Sequence, residues 1–65
     1  MIWLTRLNGD RFVLNADHIE LIEAKPDTTI LLTNGDKYIV KEGVEEVINE
    51  VIEYKRKIFL GFEKR

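Results

Sequence analysis

Up to Val40 the apolar residues come in short runs separated by turn residues, and beyond Val40 their spacing changes. Short β-rich runs between turn signals mark strands, whereas apolar residues at i, i+3, i+4 and i+7 mark one face of a helix. Five strands are predicted, at about 2–7, 10–15, 18–24, 28–33 and 36–40. Asn8-Gly9 joins the first pair and Asn34-Gly35 the last, and Asn-Gly between such runs is the strongest short hairpin signal. As two-residue type I′ turns they need positive φ at both central residues, so Asn8, Gly9, Asn34 and Gly35 are the expected turn-forming residues. Pro26 lacks an amide hydrogen and belongs to the turn Lys25-Pro26-Asp27.

The two hairpins are written in nearly the same words. Leu7 to Leu14 reads LNGDRFVL and Thr33 to Val40 reads TNGDKYIV, in gapless register. Either two hairpins favour similar residues or the segment is an internal duplication; neither implies a ligand. A phosphate-binding loop would need more glycines and a following helix, and here a strand follows.

Past Val40, residues Val44, Val47, Ile48, Val51, Ile52 and Ile58 keep one apolar stripe. Gly43 is the expected N-cap, with Glu46 placed where a capping box puts its Glu. Glu42, Glu45 and Glu46 then crowd the first turn and Lys55, Arg56 and Lys57 the last, an order that complements the helix dipole. Glu53 and Lys57 are spaced to pair, and Gly61 is a stop signal. The helix is predicted over about 43–59, with an apolar tail at 60–65. The fold class is α+β: one small twisted antiparallel sheet of about five strands, then one C-terminal amphipathic helix, in a single domain over residues 1–65.

With two-residue turns, Trp3, Leu7, Phe12 and Leu14 share one side of the first hairpin and Ile2, Leu4 and Val13 the other. In the second, Leu31, Tyr38 and Val40 oppose Ile30, Leu32 and Ile39. Both sides of both hairpins are then apolar, and one helix covers only part of one face. A chain this short buries about 60% of its unfolded surface, so its core is marginal. The second face closes into a small barrel or meets a second copy of the chain. Large rigid aromatics are enriched at interfaces, which favours a homo-oligomer with Trp3, Phe12, Leu60 and Phe62 as contact residues.

Composition narrows the chemistry. There is no Cys and a single His, His18, so neither a disulfide, a thiolate metal site nor a Cys–His or Ser–His–Asp set can be built. Paired carboxylates occur as Glu45-Glu46, at the helix start, and as Asp17 with Glu20 or Glu23, on a solvated strand face. His18 reads as a surface histidine. No enzymatic activity, metal or cofactor is expected. The net charge of −2 gives no footprint for nucleic acid, and no apolar run is long enough for membrane insertion. The run Lys55-Arg56-Lys57 beside Tyr54 and Phe59 has the residue types that contact phosphates and stack bases, yet cations are expected in a last helical turn. Ser and Gln are absent while Ile, Glu and Lys abound, a bias of proteins from hot environments that points to a thermophile.

Over nearly its whole length, through MIWLTRLNGDRFVLNADHIELIEA, PDTTILLTNGDKYIVKE and VEEVINEVIEYKRKI, the chain resembles the FlbD family of small flagellar proteins, to which the SwrD swarming-motility proteins belong. The resemblance implies a non-enzymatic cytoplasmic protein, with the flagellar base as its candidate location. It also implies support of swarming by raising flagellar motor power, with motor or stator components as candidate partners. Gly43 departs from the Ser expected there, and FLGFEKR lies outside the shared pattern. The segment HIELIEAKPDTTILLTNGDKYIVKEGVEEVI also looks like part of a LytTR DNA-binding domain, the alternative reading. Its loops, however, carry Asn, Gly, Asp and Pro rather than Lys and Arg.

Overall fold

The computed structural model describes residues 1–63, with side chains through residue 59. Five strands come first: β1 (Ile2–Thr5), β2 (Arg11–Leu14), β3 (Ile19–Ala24), β4 (Thr28–Leu32) and β5 (Lys37–Val40). One helix follows, α1 (Val44–Glu63). The class is α+β, but the strands form two antiparallel sheets, β1-β2 and β3-β4-β5, rather than one. An isolated bridge between Arg6 and Val40 and the bond from the Lys41 N–H to the Thr5 carbonyl (2.8 Å) tie the sheets at one corner. Asn15 ends β2 and caps a single 3₁₀ turn, Ala16–His18, its side chain accepting from the Asp17 N–H at 3.0 Å. The Thr33 N–H donates to the His18 carbonyl at 2.8 Å and anchors that turn to the second sheet.

The hairpin turns differ from the type I′ expectation. Gly9 and Gly35 have φ of 98° and 95°, and among the described residues no other has positive φ, Asn8 and Asn34 included. The Gly9 N–H donates to the Arg6 carbonyl at 2.9 Å and the Arg6 N–H to the Asp10 carbonyl at 2.8 Å. These are three-residue loops, a type I turn closed by a glycine in the left-handed region. The second copy repeats the pattern, Gly35 N–H to Leu32 carbonyl and Leu32 N–H to Asp36 carbonyl, at 2.9 and 2.8 Å. In each loop the Asn side-chain oxygen, Oδ1, accepts from the Asp N–H two residues on at 2.9 Å. A third loop residue changes which residues stand opposite one another by one position, and with a side-chain period of two this exchanges the faces.

Ile2 therefore faces Leu14 and Leu4 faces Phe12, while Trp3 faces Val13. Phe12 joins the inner face and Trp3 stays outside, which corrects the assignment of both to one side. In the second sheet Ile30 faces Tyr38 and Thr28 faces Val40, so Tyr38 and Val40 join Ile30 and Leu32. With that register the strands alternate. The inner positions Ile2, Leu4, Leu14, Ile30, Leu32 and Val40 are all buried, and with Ala16 and Val47 of α1 they form the core. A register shift between Ile19 and Leu21 in β3 keeps Ile19 and Ile22 both packed against that core.

The helix begins as expected and ends later. The Gly43 N–H donates to Glu46 Oε1 at 3.1 Å, one arm of the capping box. Val44, Val47, Val51 and Tyr54 turn toward the sheets, with Val47 fully buried. Gly61 does not stop the helix, so Lys55, Arg56 and Lys57 lie inside it rather than in its last turn, and positions 60–63 continue it instead of forming a tail.

Candidate interaction surfaces

Several polar side chains bond within the chain. Glu42 takes two bonds from Thr5, the N–H to Oε1 at 2.9 Å and the hydroxyl to Oε2 at 2.8 Å. Partial burial works to raise the Glu42 pKa, but the two Thr5 donors, with Glu42's own N–H and the Arg11 charge, together hold the carboxyl below its ordinary value. This clamp fixes the start of α1 to the end of β1. Asp17 meets Lys55 at 2.8 Å, a bond and a charge that lower the Asp17 pKa and raise that of Lys55. Arg56 lies 3.6 Å from Glu53, one turn back; Glu53 has this partner rather than the expected Lys57. Lys55 and Arg56 of the basic run are thus both paired with carboxylates of this chain. Among the described residues no group of His, Asp and Glu is placed to hold a metal ion.

Phe12 and Tyr38, equivalent positions of the two copied segments, stack at 5.4 Å between ring centroids with planes tilted by 33°. The Arg6 guanidinium sits 4.4 Å from the Phe12 centroid and 5.3 Å from that of Tyr38. A cation over two such faces stabilises the seam between the copies from the solvent side. Phe12 is therefore half-buried at the seam between the hairpins.

Apart from Met1 and Leu7, the exposed large apolar side chains among the described residues fall on the outer sheet faces and on α1. On the outer sheet faces stand Trp3 (56% exposed), Val13, Leu21 and Ile39, with the Arg11 guanidinium 5.5 Å from the Trp3 ring. On α1 the exposed apolar residues among those described are Ile48, Ile52, Ile58 and Phe59. Ile48 and Ile52, with Val51, form one wall of a groove of about 360 Å³ whose other wall is Ile19 and Ile22. A second hollow of about 490 Å³, reaching Ile58 and Phe59, continues it past the Asp17–Lys55 pair. Of the four contact residues expected from sequence, Trp3 lies on an exposed surface and Phe12 does not; the Leu60 and Phe62 side chains lie outside the described residues. Sequence reasoning missed the Glu42–Thr5 clamp, for which no local pattern exists, since the partners are 37 positions apart. It also missed the Asp17–Lys55 pair across the groove.

Two small sheets and one long helix, with large apolar side chains left exposed on both, define a small α+β domain. The chain belongs to the FlbD family of flagellar and swarming motility proteins, whose model matches residues 1–59. That match takes in every strand and α1 as far as Phe59, and with it the chain has a role in the flagellum and swarming. No curated protein and no solved structure matches the chain. No helix among the described residues is long and apolar enough to cross a membrane.

Proposed function

We propose that the chain is a non-enzymatic, cytoplasmic accessory protein of the flagellar motor, working as an assembly and by contact with a motor or stator component. The observation that supports this most is the disposition of its side chains. The described salt bridges are internal, between Asp17 and Lys55 and between Glu53 and Arg56, whereas large apolar side chains stand exposed on two surfaces. Exposed apolar surface gathered into patches marks contact sites with other proteins. The outer sheet face, with Trp3 and Arg11 stacked beside Val13, has the aromatic and guanidinium groups that dominate binding energy at interfaces.

Deletion of the gene tests the reading in one step. Cells that keep their flagella but lose swarming, and regain it with the wild-type gene, support it. Normal swarming, or loss of the flagella themselves, overturns it. Retardation of labelled duplex DNA at low salt would shift the function to DNA binding; no retardation is expected from a chain of net charge −2.

A further inference from the structure

The second half of α1 is the least supported part of the fold. Lys55 through Phe59 are all exposed, although the helix continues to Glu63. Helical segments without tertiary packing are marginal in water, so a run of this kind holds its shape best against a partner. The exposed residues are also ordered. Val44, Val47, Val51 and Tyr54 follow a seven-residue repeat on the side of the sheets, which the exposed Ile58 extends, and beside it Ile48, Ile52, Lys55 and Phe59 follow a second one. An apolar seam with alternating steps of four and three residues is the pattern by which one helix packs on another. The first seam is used within the chain. The second is free, with Ile52 47% and Phe59 64% exposed, and it borders the groove whose far wall is Ile19 and Ile22.

Charge selects the occupant and its direction. The first half of α1 carries Glu45, Glu46, Glu50 and Glu53, and the stretch after Tyr54 carries Lys55, Arg56 and Lys57. Two parallel copies would bring acid to acid and base to base. Two antiparallel copies bring the acidic half of each beside the basic half of the other and oppose the helix dipoles. The helix is thus complementary in charge to its own reverse.

We infer that α1 is the self-association element: a second copy of the chain lays its own α1 antiparallel along the Ile48–Ile52–Phe59 seam, in the groove beside β3. In that arrangement Ile48 meets the partner's Phe59 and Ile52 lies over the partner's Lys55 stem. Lys55 keeps its bond to Asp17 and acts as the one polar member of the seam, which fixes the alignment of the two helices. A two-fold axis closes the contact at two copies. The inference rests on the assembly part of the proposed function and leaves the outer sheet face free for the motor partner.

Sedimentation equilibrium of the full chain, with far-UV circular dichroism as the fold control, provides the test. The wild-type chain sediments as a dimer that weakens as salt is raised. Ile52→Asp keeps its helical signal and dissociates on the order of 100-fold more readily, because a carboxylate replaces an apolar seam residue. Trp3→Asp remains dimeric. Direction is read by cross-linking, which the absence of native cysteine makes clean. A mixture of Asn49→Cys and Arg56→Cys chains links faster than Asn49→Cys alone. A wild-type chain that stays monomeric overturns both this inference and the assembly reading. A dimer that survives Ile52→Asp but is lost in Trp3→Asp overturns only the helix interface. Faster self-linking of Asn49→Cys, or an assembly of three or more copies, overturns the antiparallel pair.

Discussion

Replacing Glu42 with Ala removes the only side-chain link between β1 and the segment entering α1 among the described hydrogen bonds. Both bonds end on a charged acceptor, where a single bond contributes about 1.5–3 kcal/mol when shielded. Thr5 and Glu42 are half-buried, so water replaces part of what is lost, and the net cost is about 1–2 kcal/mol. For a domain of this size that corresponds to a fall in Tm of about 4–15 °C. Glu42→Gln keeps an acceptor for the Thr5 N–H and a donor toward the Thr5 hydroxyl, and falls by much less. The pH dependence carries the sign. The folded pKa of Glu42 is depressed, so its contribution is complete above the unfolded value near 4.3 and is lost as pH falls through the lower folded value. Thermal melts from pH 7 into acid therefore show the wild type converging on Glu42→Ala as pH falls below the unfolded value and through the lower folded one, with Glu42→Gln lacking that step. A double-mutant cycle with Thr5→Val isolates the pair. Strict additivity of the two single changes, or a parallel decline of all three proteins with acid, would refute the clamp.

The corrected register separates two aromatic residues that sequence had placed together. Phe12→Ala removes a half-buried ring from the Phe12–Tyr38 stack and lowers stability by about 2–3 kcal/mol in denaturant titration. Trp3→Ala, on the outer face, changes stability by less than about 1 kcal/mol and instead weakens retention of a motor partner in affinity capture. Gly9→Ala and Gly35→Ala each cost about 1–2 kcal/mol from backbone strain alone, because no atom lies within 4 Å of either added Cβ. Unequal costs would contradict the equivalence of the two loops. In dilute, monomeric protein Lys55→Met breaks the exposed pair with Asp17 and leaves the Tm unchanged within error, since exposed pairs contribute little.

The α+β class, the strand positions and the start of α1 were legible because each rests on local signals: turn residues, alternation and a change of period. The turn type was not legible from Asn-Gly alone, which serves a two-residue loop and a three-residue loop alike. The pattern around it, however, held the answer. A two-residue loop makes both faces of both hairpins apolar, while one more loop residue sorts Ile2, Leu4, Phe12 and Leu14 to one side and Trp3, Thr5, Arg11 and Val13 to the other. The clean alternation expected of a half-buried antiparallel pair selects the second loop. The Glu42–Thr5 and Asp17–Lys55 partners lie far apart in the chain, so no spacing could announce them. Gly61 misled because a glycine within a helix costs only about 1 kcal/mol, less than the neighbouring residues can offset.

That one-residue shift also moves the argument for assembly. Under the expected turns the surplus of apolar surface lay on the sheets, where Trp3 and Phe12 together would have formed a broad contact face. With Phe12 turned inward, each sheet has a used side and a mixed side, and the outer apolar residues are spaced by Thr5, Arg11, Thr29 and Lys37. The helix has no such compensation. Of its six predicted stripe residues only Val47 is fully buried, while Ile48, Ile52 and Ile58 remain at 43%, 47% and 44% exposure. A stripe that is too wide for one contact is what two adjacent contacts require: the sheets take one edge of it and leave the other. The strongest demand for a second polypeptide therefore comes from α1, and the sheet face, patterned and carrying a single Trp–Arg pair, is better suited to a partner that comes and goes.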